Sequence, residues 1–294
     1  MDSEGLREFQ AHRPRLFALA YRMLGSASEA EDAVQEVWLR WDGTDRAFIR
    51  SAEAWLTTAV VNLCRTWLVS ARARRESYVG PWLPEPVPTA RGELGPLETV
   101  EEREQVSLAL LTALERLSAV ERAVFVLREA FGYAHREIAD MLDISESLSQ
   151  QTYRRAGQRV RADRPRFEVD TARAGVLIER FLNAARTGEL AELERMLTAD
   201  VTAVADGGGR VNAARKPVVG AVKVSRYLAG LFRFLDDTMT VSTVEVNGVP
   251  AAVIRQAGAA LAVIAVEFED GAVAAVRLLV NPDKLTRLEA TESV

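Results

Sequence analysis

The sequence predicts a multidomain chain: two all-α domains, the second a helix-turn-helix, followed by an α+β cone. Three observations predict it. Apolar residues recur at helical spacing through about residue 165, interrupted only by a Pro/Gly-rich stretch. A tight turn, "DIS", separates two short amphipathic segments inside the second helical block. From about residue 238 the pattern changes to strand-like runs punctuated by "NG" at 247–248 and "DG" at 270–271, both hairpin signals.

At 294 residues the chain has room for two or three domains, and its 48% hydrophobic content supports ordinary cores. No apolar run reaches the ~20 residues of a membrane span. The start, "MDSEGLREFQ", is acidic and polar, unlike a secretory signal, so a cytoplasmic location is expected. One cysteine, Cys64, rules out an internal disulfide and fits a reducing interior. With only His12 and His135 besides, no structural zinc site is expected, and no metal or other cofactor. The net charge of −5 argues against nucleic acid, but its distribution does not. Residues 65–75 hold four Arg and no acid, and residues 154–166 hold six Arg and one Asp. Between them, residues 76–115 carry eight acids against two Arg. Basic clusters at helix ends, beside polar side chains, raise the odds for DNA over a merely solvated face.

Four segments follow: 1–75 helical, 76–97 a Pro-rich linker, 98–165 helical again, and 170–294 the cone. In the first, "SASEAEDAVQEVWLRW" opens with Ser28 as expected cap and Glu31 three residues on, a capping box. Ala30, Ala33, Val34, Val37, Trp38 and Trp41 form its apolar stripe. Asp32, Gln35, Glu36 and Leu39 share another face, which alone reads as solvated surface. The next helix, about 52–70, buries Leu56, Ala59, Val60, Leu63 and Trp67. Trp55, Thr58, Asn62, Arg65 and Thr66 make its second face, mixing an aromatic ring, an amide, hydroxyls and a guanidinium. Single-stranded bases are held by such a mixture, through stacking and backbone neutralisation. Trp55 taken alone reads more simply as core.

In the second block, residues 134–142 predict a short helix with Ile138, Ala139 and Leu142 inward. Ser145 is the expected cap of a helix over 146–162. Leu148, Thr152, Tyr153, Ala156 and Val160 fall on its inner side. Ser147, Gln150, Gln151, Arg154 and Gln158 fall outward, with Arg155 and Arg159 at the border, placed for phosphates. A scaffold helix, a short turn and a Gln/Arg-bearing helix make a helix-turn-helix reader. Gln suits adenine edges and Arg guanine edges in the major groove. A repressor needs only this duplex reader; a protein that opens duplex DNA needs the single-strand face as well.

The motifs "FALAYRMLGSASEAEDAVQEVWLRW", "AEAWLTTAVVNLCRTWLVSARARR" and "LSAVERAVFVLREAFGYAHREIADMLDISES" resemble the extracytoplasmic-function sigma factors of bacterial RNA polymerase, across nearly all of residues 1–165. The resemblance implies promoter DNA and core RNA polymerase as partners. It places Asp32, Gln35, Glu36 and Leu39 against the polymerase clamp helices. Asn62 and Arg65, with Trp55 nearby, would melt and read the −10 element, and "DGTDRAFIRS" would capture a flipped base. Gln150, Gln151, Arg154 and Arg155 would read the −35 element. Ser149 stands where the family has an aliphatic residue, which predicts a looser recognition helix. Thr152 and Gly157 stand where Arg is common, and a helical Gly costs about 1 kcal/mol relative to Ala.

Helices at 171–186, 189–197 and about 220–235, then strands near 238–247, 250–256, 259–269 and 271–280, predict helices packed on a curved antiparallel sheet. This tail resembles a SnoaL-like domain. The sigma subgroup with such a tail carries a linker motif seen here as Trp82, Leu83, Pro84, Glu85 and Pro86. It also carries a "DGGG" turn, Asp206, Gly207, Gly208 and Gly209, and an "NPDKL" end, Asn281, Pro282 and on to Leu285. The stretch "GPWLPEPVPT" holds four of the chain's ten prolines, so a semi-rigid rod is expected between the two readers. Its Trp82 and Leu83 call for a partner surface, with the tail near Asp206 or Asn281 the expected one. The subgroup implies a regulatory tail, and the sequence shows no recognisable separate anti-sigma partner. Catalysis is the minor reading: the tail has no His, and Asp206, its one candidate pocket acid, sits in a turn signal. A ligand-sensing helix-turn-helix regulator that never joins polymerase is the alternative from another class, but it needs neither the Asp32–Leu39 nor the Asn62/Arg65 face. Whether the cone takes a small ligand is left open by the sequence.

Overall fold

The computed structural model describes residues 3–94, 100–162 and 171–288. The expected boundary near 165–170 lies outside them. The chain divides into two compact units, residues 1–76 with 91–164, and residues 77–90 with 165–294.

The first unit is all helix. Helices α1 (Ser3–Leu24), α2 (Ala27–Asp42) and α3 (Ala52–Glu76) close over Phe17, Leu19, Tyr21, Val37, Trp41, Leu56 and Val60, all buried. Trp41 satisfies its indole N–H on the Gly5 carbonyl at 3.0 Å, as a buried indole must. The α2 cap corrects the expectation. Ser26, not Ser28, is the N-cap, its hydroxyl accepting from the Glu29 amide at 3.2 Å. The preceding Gly25, at φ 69°, lets the chain turn early enough for this. Ser28 then lies within the first turn, and Glu31 pairs with Arg13 at 2.6 Å instead.

Helices α4 (Val100–Glu104), α5 (Leu108–Leu114), α6 (Ala119–Glu129), α7 (His135–Leu142) and α8 (Glu146–Ala162) complete the unit. A capping box does occur here: Ser118 and Glu121 at the start of α6 bond reciprocally. Asp143, left-handed at φ 53°, ends α7, and the Ser145 hydroxyl caps α8 by accepting from the Leu148 amide at 3.2 Å. The inner face of α8 is rotated from the expected one. Ser149, Thr152, Ala156 and Val160 are buried, whereas Leu148 is 40% exposed. Spacing of 3, 4 and 4 keeps those four on one stripe, and Leu148 falls off it.

The second unit packs helices α9 (Thr171–Thr187), α10 (Leu190–Arg195) and α11 (Ala221–Phe232) on one six-stranded sheet. Its strands are β1 (Leu197–Asp206), β2 (Val218–Val219), β3 (Met239–Val246), β4 (Val249–Gln256), β5 (Ala259–Glu269) and β6 (Ala272–Leu279), in the order β2-β1-β6-β5-β4-β3. Sequence reading missed β1 and β2. It also predicted a wholly antiparallel sheet, and the β1–β6 pairing is parallel. The pairing is possible because α11 and the β3–β5 meander lie between these strands in sequence. Asn247–Gly248 and Asp270–Gly271 make the expected hairpin turns with positive φ at both residues, and Ala257–Gly258 makes a third that no sequence signal marked. Ile178, Phe181, Leu193, Val224 and Leu228 press on Ala203, Ile264, Val266, Val276 and Leu278, forming the core under the helices. The other face of the sheet is buried as well, at Val253, Val263, Ala265 and Leu279.

Candidate functional site

The linker explains that second buried face. Residues 81–88 have no helix or strand, and Leu83 through Val87 are all buried. Proline-rich chain of this kind stays extended and cannot fold back on itself. It is tied at both ends. The Leu83 amide donates to Asp206, at the end of β1, at 2.8 Å. Val87 exchanges two bonds with Asn247 in the β3–β4 turn, its amide donating to Oδ1 and its carbonyl accepting from the amide, both at 2.9 Å. Strand order sets β6, β5 and β4 between these anchors, so the linker crosses the face carrying Leu279, Val263 and Val253. A buried ion pair, Glu267 with Arg277, lies on that face too, and desolvation lowers the Arg277 pKa to about 10. Glu85, buried in mid-linker, faces Arg287 at 3.7 Å.

Asp206 is fully buried and is the hub of this arrangement. Its Oδ1 accepts from the Tyr78 hydroxyl at 2.6 Å and the Gly208 amide at 3.1 Å. Its Oδ2 accepts from the Leu83 amide and from Lys284 Nζ at 2.7 Å. Four donors on one carboxylate satisfy a charge that would otherwise be prohibitive to bury. Lys284 arrives because Asn281 caps the turn Pro282–Lys284, its Oδ1 accepting from the Asp283 amide at 3.1 Å. The ammonium then lies over the Trp82 ring, 4.1 Å from its centre, a cation–π contact. Asn281 Nδ2 donates to the Tyr78 hydroxyl at 2.9 Å, closing the ring of bonds. Burial and the adjacent Asp206 carboxylate both push the Tyr78 phenol upward in pKa. Gly207 is required by space, and Gly208 by φ as well. A Cβ on Gly207 would lie 2.4 Å from the Val211 carbonyl oxygen, and one on Gly208, at φ 58°, 2.4 Å from Asn281 Nδ2.

Trp82–Pro86, the "DGGG" turn and the "NPDKL" end therefore meet in one cluster. Two of its members went unrecognised, Tyr78, which no local pattern marks, and Lys284, noticed only as a letter of its motif; so did Asn247 at the linker's other anchor, whose side-chain role was hidden behind its hairpin signal. Asp206 is not placed as a pocket base, since all its bonding directions point at protein donors.

In the first unit, Asp32, Gln35 and Leu39 are exposed on α2, Leu39 by 60%, while Glu36 pairs with Arg40 at 3.1 Å. On α3, Trp55 is half-buried against Trp41, ring centres 5.3 Å apart, so part of it serves as core. Thr58 is half-buried, and Thr66 spends its hydroxyl on the Asn62 carbonyl at 3.0 Å. Asn62 and Arg65 are bonded to each other at 2.9 Å and to α7 carbonyls. On α8, Ser147, Gln150, Gln151, Arg154 and Arg155 are exposed. Arg159 is held by both Glu121 carboxylate oxygens at 2.8 and 2.9 Å, so it is less free for phosphate than expected. Burial opposes it, but Ser118 and Arg159 hold the Glu121 carboxyl below the usual range. Ser149, expected to loosen this helix, is fully buried with its hydroxyl 3.0 Å from His135 Nδ1. The polar substitution is thus satisfied and the packing kept.

Among the described residues no group of His, Cys, Asp or Glu is arranged to hold a metal ion, and no helix is long and apolar enough to cross a membrane.

Residues 9–74 match the Sigma-70 region 2 family, and residues 107–160 match Sigma-70 region 4. The chain is 36% identical to the ECF RNA polymerase sigma factor SigJ of Mycobacterium tuberculosis over 95% of its own length and 92% of the relative's. It is 32% identical to the probable ECF RNA polymerase sigma factor SigI of the same species, over 96% and 95%. The crystal structure of Mycobacterium tuberculosis SigJ superposes with a TM-score of 0.72 at 32% identity, over 96% of this chain and 98% of that one. Two sigma domains joined to a fused α+β tail over essentially full length leave one conclusion: the chain belongs to the extracytoplasmic-function family of RNA polymerase sigma factors.

Proposed function

We propose that this sigma factor carries its regulator in the same chain, with the cone acting through the linker that joins its two promoter-reading domains. The observation that carries the reading is the buried, fully bonded Asp206 cluster, which with the Val87–Asn247 pair fixes Leu83–Val87 on the sheet. A linker held this way has one path and one reach, so the tail sets how far the −10 and −35 readers can separate. In this reading Asp32, Gln35, Glu36 and Leu39 meet the polymerase clamp helices. Asn62 and Arg65 handle the −10 strand, with Trp55, Thr58 and Thr66 beside them. Ser147, Gln150, Gln151, Arg154, Arg155 and Arg159 face the −35 duplex. The protein works in the cytoplasm, where polymerase and promoter are, without a separate anti-sigma factor.

The test is core-polymerase capture followed by run-off transcription, comparing the full-length protein with Trp82→Ala. That change removes the ring under Lys284 and leaves the Asp206 bonds in place. Polymerase capture is expected to be unchanged while transcript yield shifts severalfold. Equal yields at equal capture would defeat control through the linker.

A further inference from the structure

Beside the Asp206 cluster lies a recess that its bonds do not fill. One wall is the start of the linker, Val79 and Gly80, and the other is the chain after β1, from Gly207 to Arg215. The two walls touch. A Cβ on Gly209 would lie 3.2 Å from the Val79 side chain, and one on Gly80 would lie 3.8 Å from the Arg215 backbone. Between them remains a cavity of about 390 Å³. That is within the range of small-molecule sites, ~300–1,000 Å³. It sits at the end of β1, whereas the space under the helices is filled by side chains such as Phe181, Leu228 and Ile264.

The lining has one sign of charge. Val79, Val211 and Ala213 supply apolar surface, Asn212 an amide, and Arg210 and Arg215 two guanidiniums, while no acid lines the cavity. Arg210 reaches Asp283 at 3.2 Å through Nε. Arg215 is exposed and has no carboxylate partner among the described residues. Asp206, at the end of β1, is already paired with Lys284. The surrounding chain extends the field. Residues 207–235 carry Arg210, Arg215, Lys216, Lys223, Arg226 and Arg233 and no acid, in a protein of net charge −5. All six are exposed. A recess of this sign concentrates anions, and guanidinium groups grip carboxylate or phosphate with paired bonds.

We infer that this recess binds a small organic anion, a carboxylate or phosphate on an apolar body, and that its occupant fixes the linker on the cone. The acid group meets Arg210 and Arg215, and the body lies against Val79 and Val211. Val79 follows Tyr78, whose hydroxyl is bonded to Asp206, and Gly80 stands two residues before Trp82. Releasing the linker takes away one wall of the site, so the ligand favours the held linker by mass action. Any effect on transcription rests on the proposed role of the linker; the binding site does not.

The experiment uses the full-length protein and four probes: phenyl phosphate, benzoate, neutral benzamide and inorganic phosphate. Calorimetric titration is expected to show binding of phenyl phosphate or benzoate, and the tighter of the two names the acid group. Benzamide is expected not to bind, and inorganic phosphate to bind at least about tenfold more weakly, for want of an apolar body. Arg215 is exposed, so Arg215→Gln leaves the fold intact. It is expected to weaken the anion about tenfold or more, the weight of one charge-assisted bond. With the probe at ten times its Kd, hydrogen exchange of the Leu83 amide, bonded to Asp206, is expected to slow about tenfold. Binding of neither anion, equal binding of benzamide, or wild-type affinity in the Arg210→Gln, Arg215→Gln double variant overturns the site. Inorganic phosphate held as tightly as phenyl phosphate overturns the apolar body. Binding that leaves Leu83 exchange unchanged overturns the hold on the linker. Run-off transcription with and without the bound probe separates this inference from control through the linker. Binding and slowed exchange at constant transcript yield would keep the site and remove that control.

Discussion

Two clusters in this molecule each hold one segment against another through hydrogen bonds, and they are built differently. Around Asp206, an ion pair, a phenol and a linker amide share one fully buried carboxylate. Around Asn62 and Arg65, half-buried side chains meet the backbone carbonyls of a helix end. Removing one member of the first strands the others where water cannot replace it. Removing one member of the second costs little, because solvent and the remaining carbonyl lone pairs take over. The first is therefore the costlier cluster to break and the second the cheaper, a difference that follows from burial and not from the number of bonds.

The largest effect expected from breaking this contrast is at Asp206. Asp206→Ala leaves the Lys284 ammonium, 12% exposed, without its carboxylate and strips acceptors from Tyr78 and Leu83. A cost of about 3–5 kcal/mol to the linker–cone unit is expected, the range for breaking a buried ion pair. Hydrogen exchange at the Leu83 and Val87 amides measures it locally. Asp206→Leu combined with Lys284→Met should recover part of the loss, because no charge is then left unpaired. If the single and double variants exchange alike, the cluster owes its strength to packing and not to the paired charge.

A middle-sized effect, of a different kind, is expected at Arg154. It is exposed on α8, so its truncation should leave stability within about 0.5 kcal/mol. Affinity for promoter duplex, however, should fall by about 1–3 kcal/mol if the side chain reaches a guanine edge. Titrating a labelled −35 duplex with holoenzyme at two salt concentrations distinguishes this from a phosphate contact. Base readout is lost mainly on the cognate sequence, whereas a phosphate contact weakens all sequences and lowers the salt slope. A uniform loss would demote Arg154 from reader to anchor.

How far these features could be read in advance depended on whether their cause is local. The α7–turn–α8 unit was legible because a cap, a left-handed C-terminal residue and a stripe of period 3.6 lie within thirty residues of each other. The meander β3–β6 was legible from two Asn/Asp-Gly pairs and β-branched runs. β1 was not: its buried face reads Val201, Ala203, Ala205, and small alanines give a weak alternation. Its parallel partner β6 lies some seventy residues away, beyond any window. The linker motif and the two tail motifs were visible as motifs, yet Tyr78 and the capture of Lys284 depend on three segments meeting, and no single one shows it. The contact of Asn62 and Arg65 with α7 was invisible for a sharper reason. Its acceptors are backbone carbonyls of Met141 and Leu142, and a carbonyl leaves no trace in residue identity. The cap placed at Ser28 failed by two residues, because two serines compete and Gly25 decides between them.

The smallest effect expected concerns the join between α7 and α8, which sits between the two extremes. His135 Nδ1 lies 3.0 Å from the fully buried Ser149 hydroxyl, and its ring meets Tyr153 edge-on at 5.6 Å. Burial lowers the His135 pKa below its usual value, and Arg128 and Arg154 push the same way against Glu146. The folded protein thus prefers neutral histidine. Between the lowered folded value and the unfolded one near 6.5, the unfolded chain binds more protons, so stability rises with pH across that window and is lost as pH falls through it. Above 6.5 the effect is absent. Since the ring is only partly buried, the slope should be shallow and screened. Unfolding of the full-length protein monitored between pH 7.5 and 5 should show destabilisation on the acid side, which His135→Gln flattens while Ser149→Ala keeps. If His135→Gln and wild type share one slope, the titration belongs to other groups, and the Ser149 contact is a neutral packing pair with no bearing on how the α7–α8 unit responds to acid.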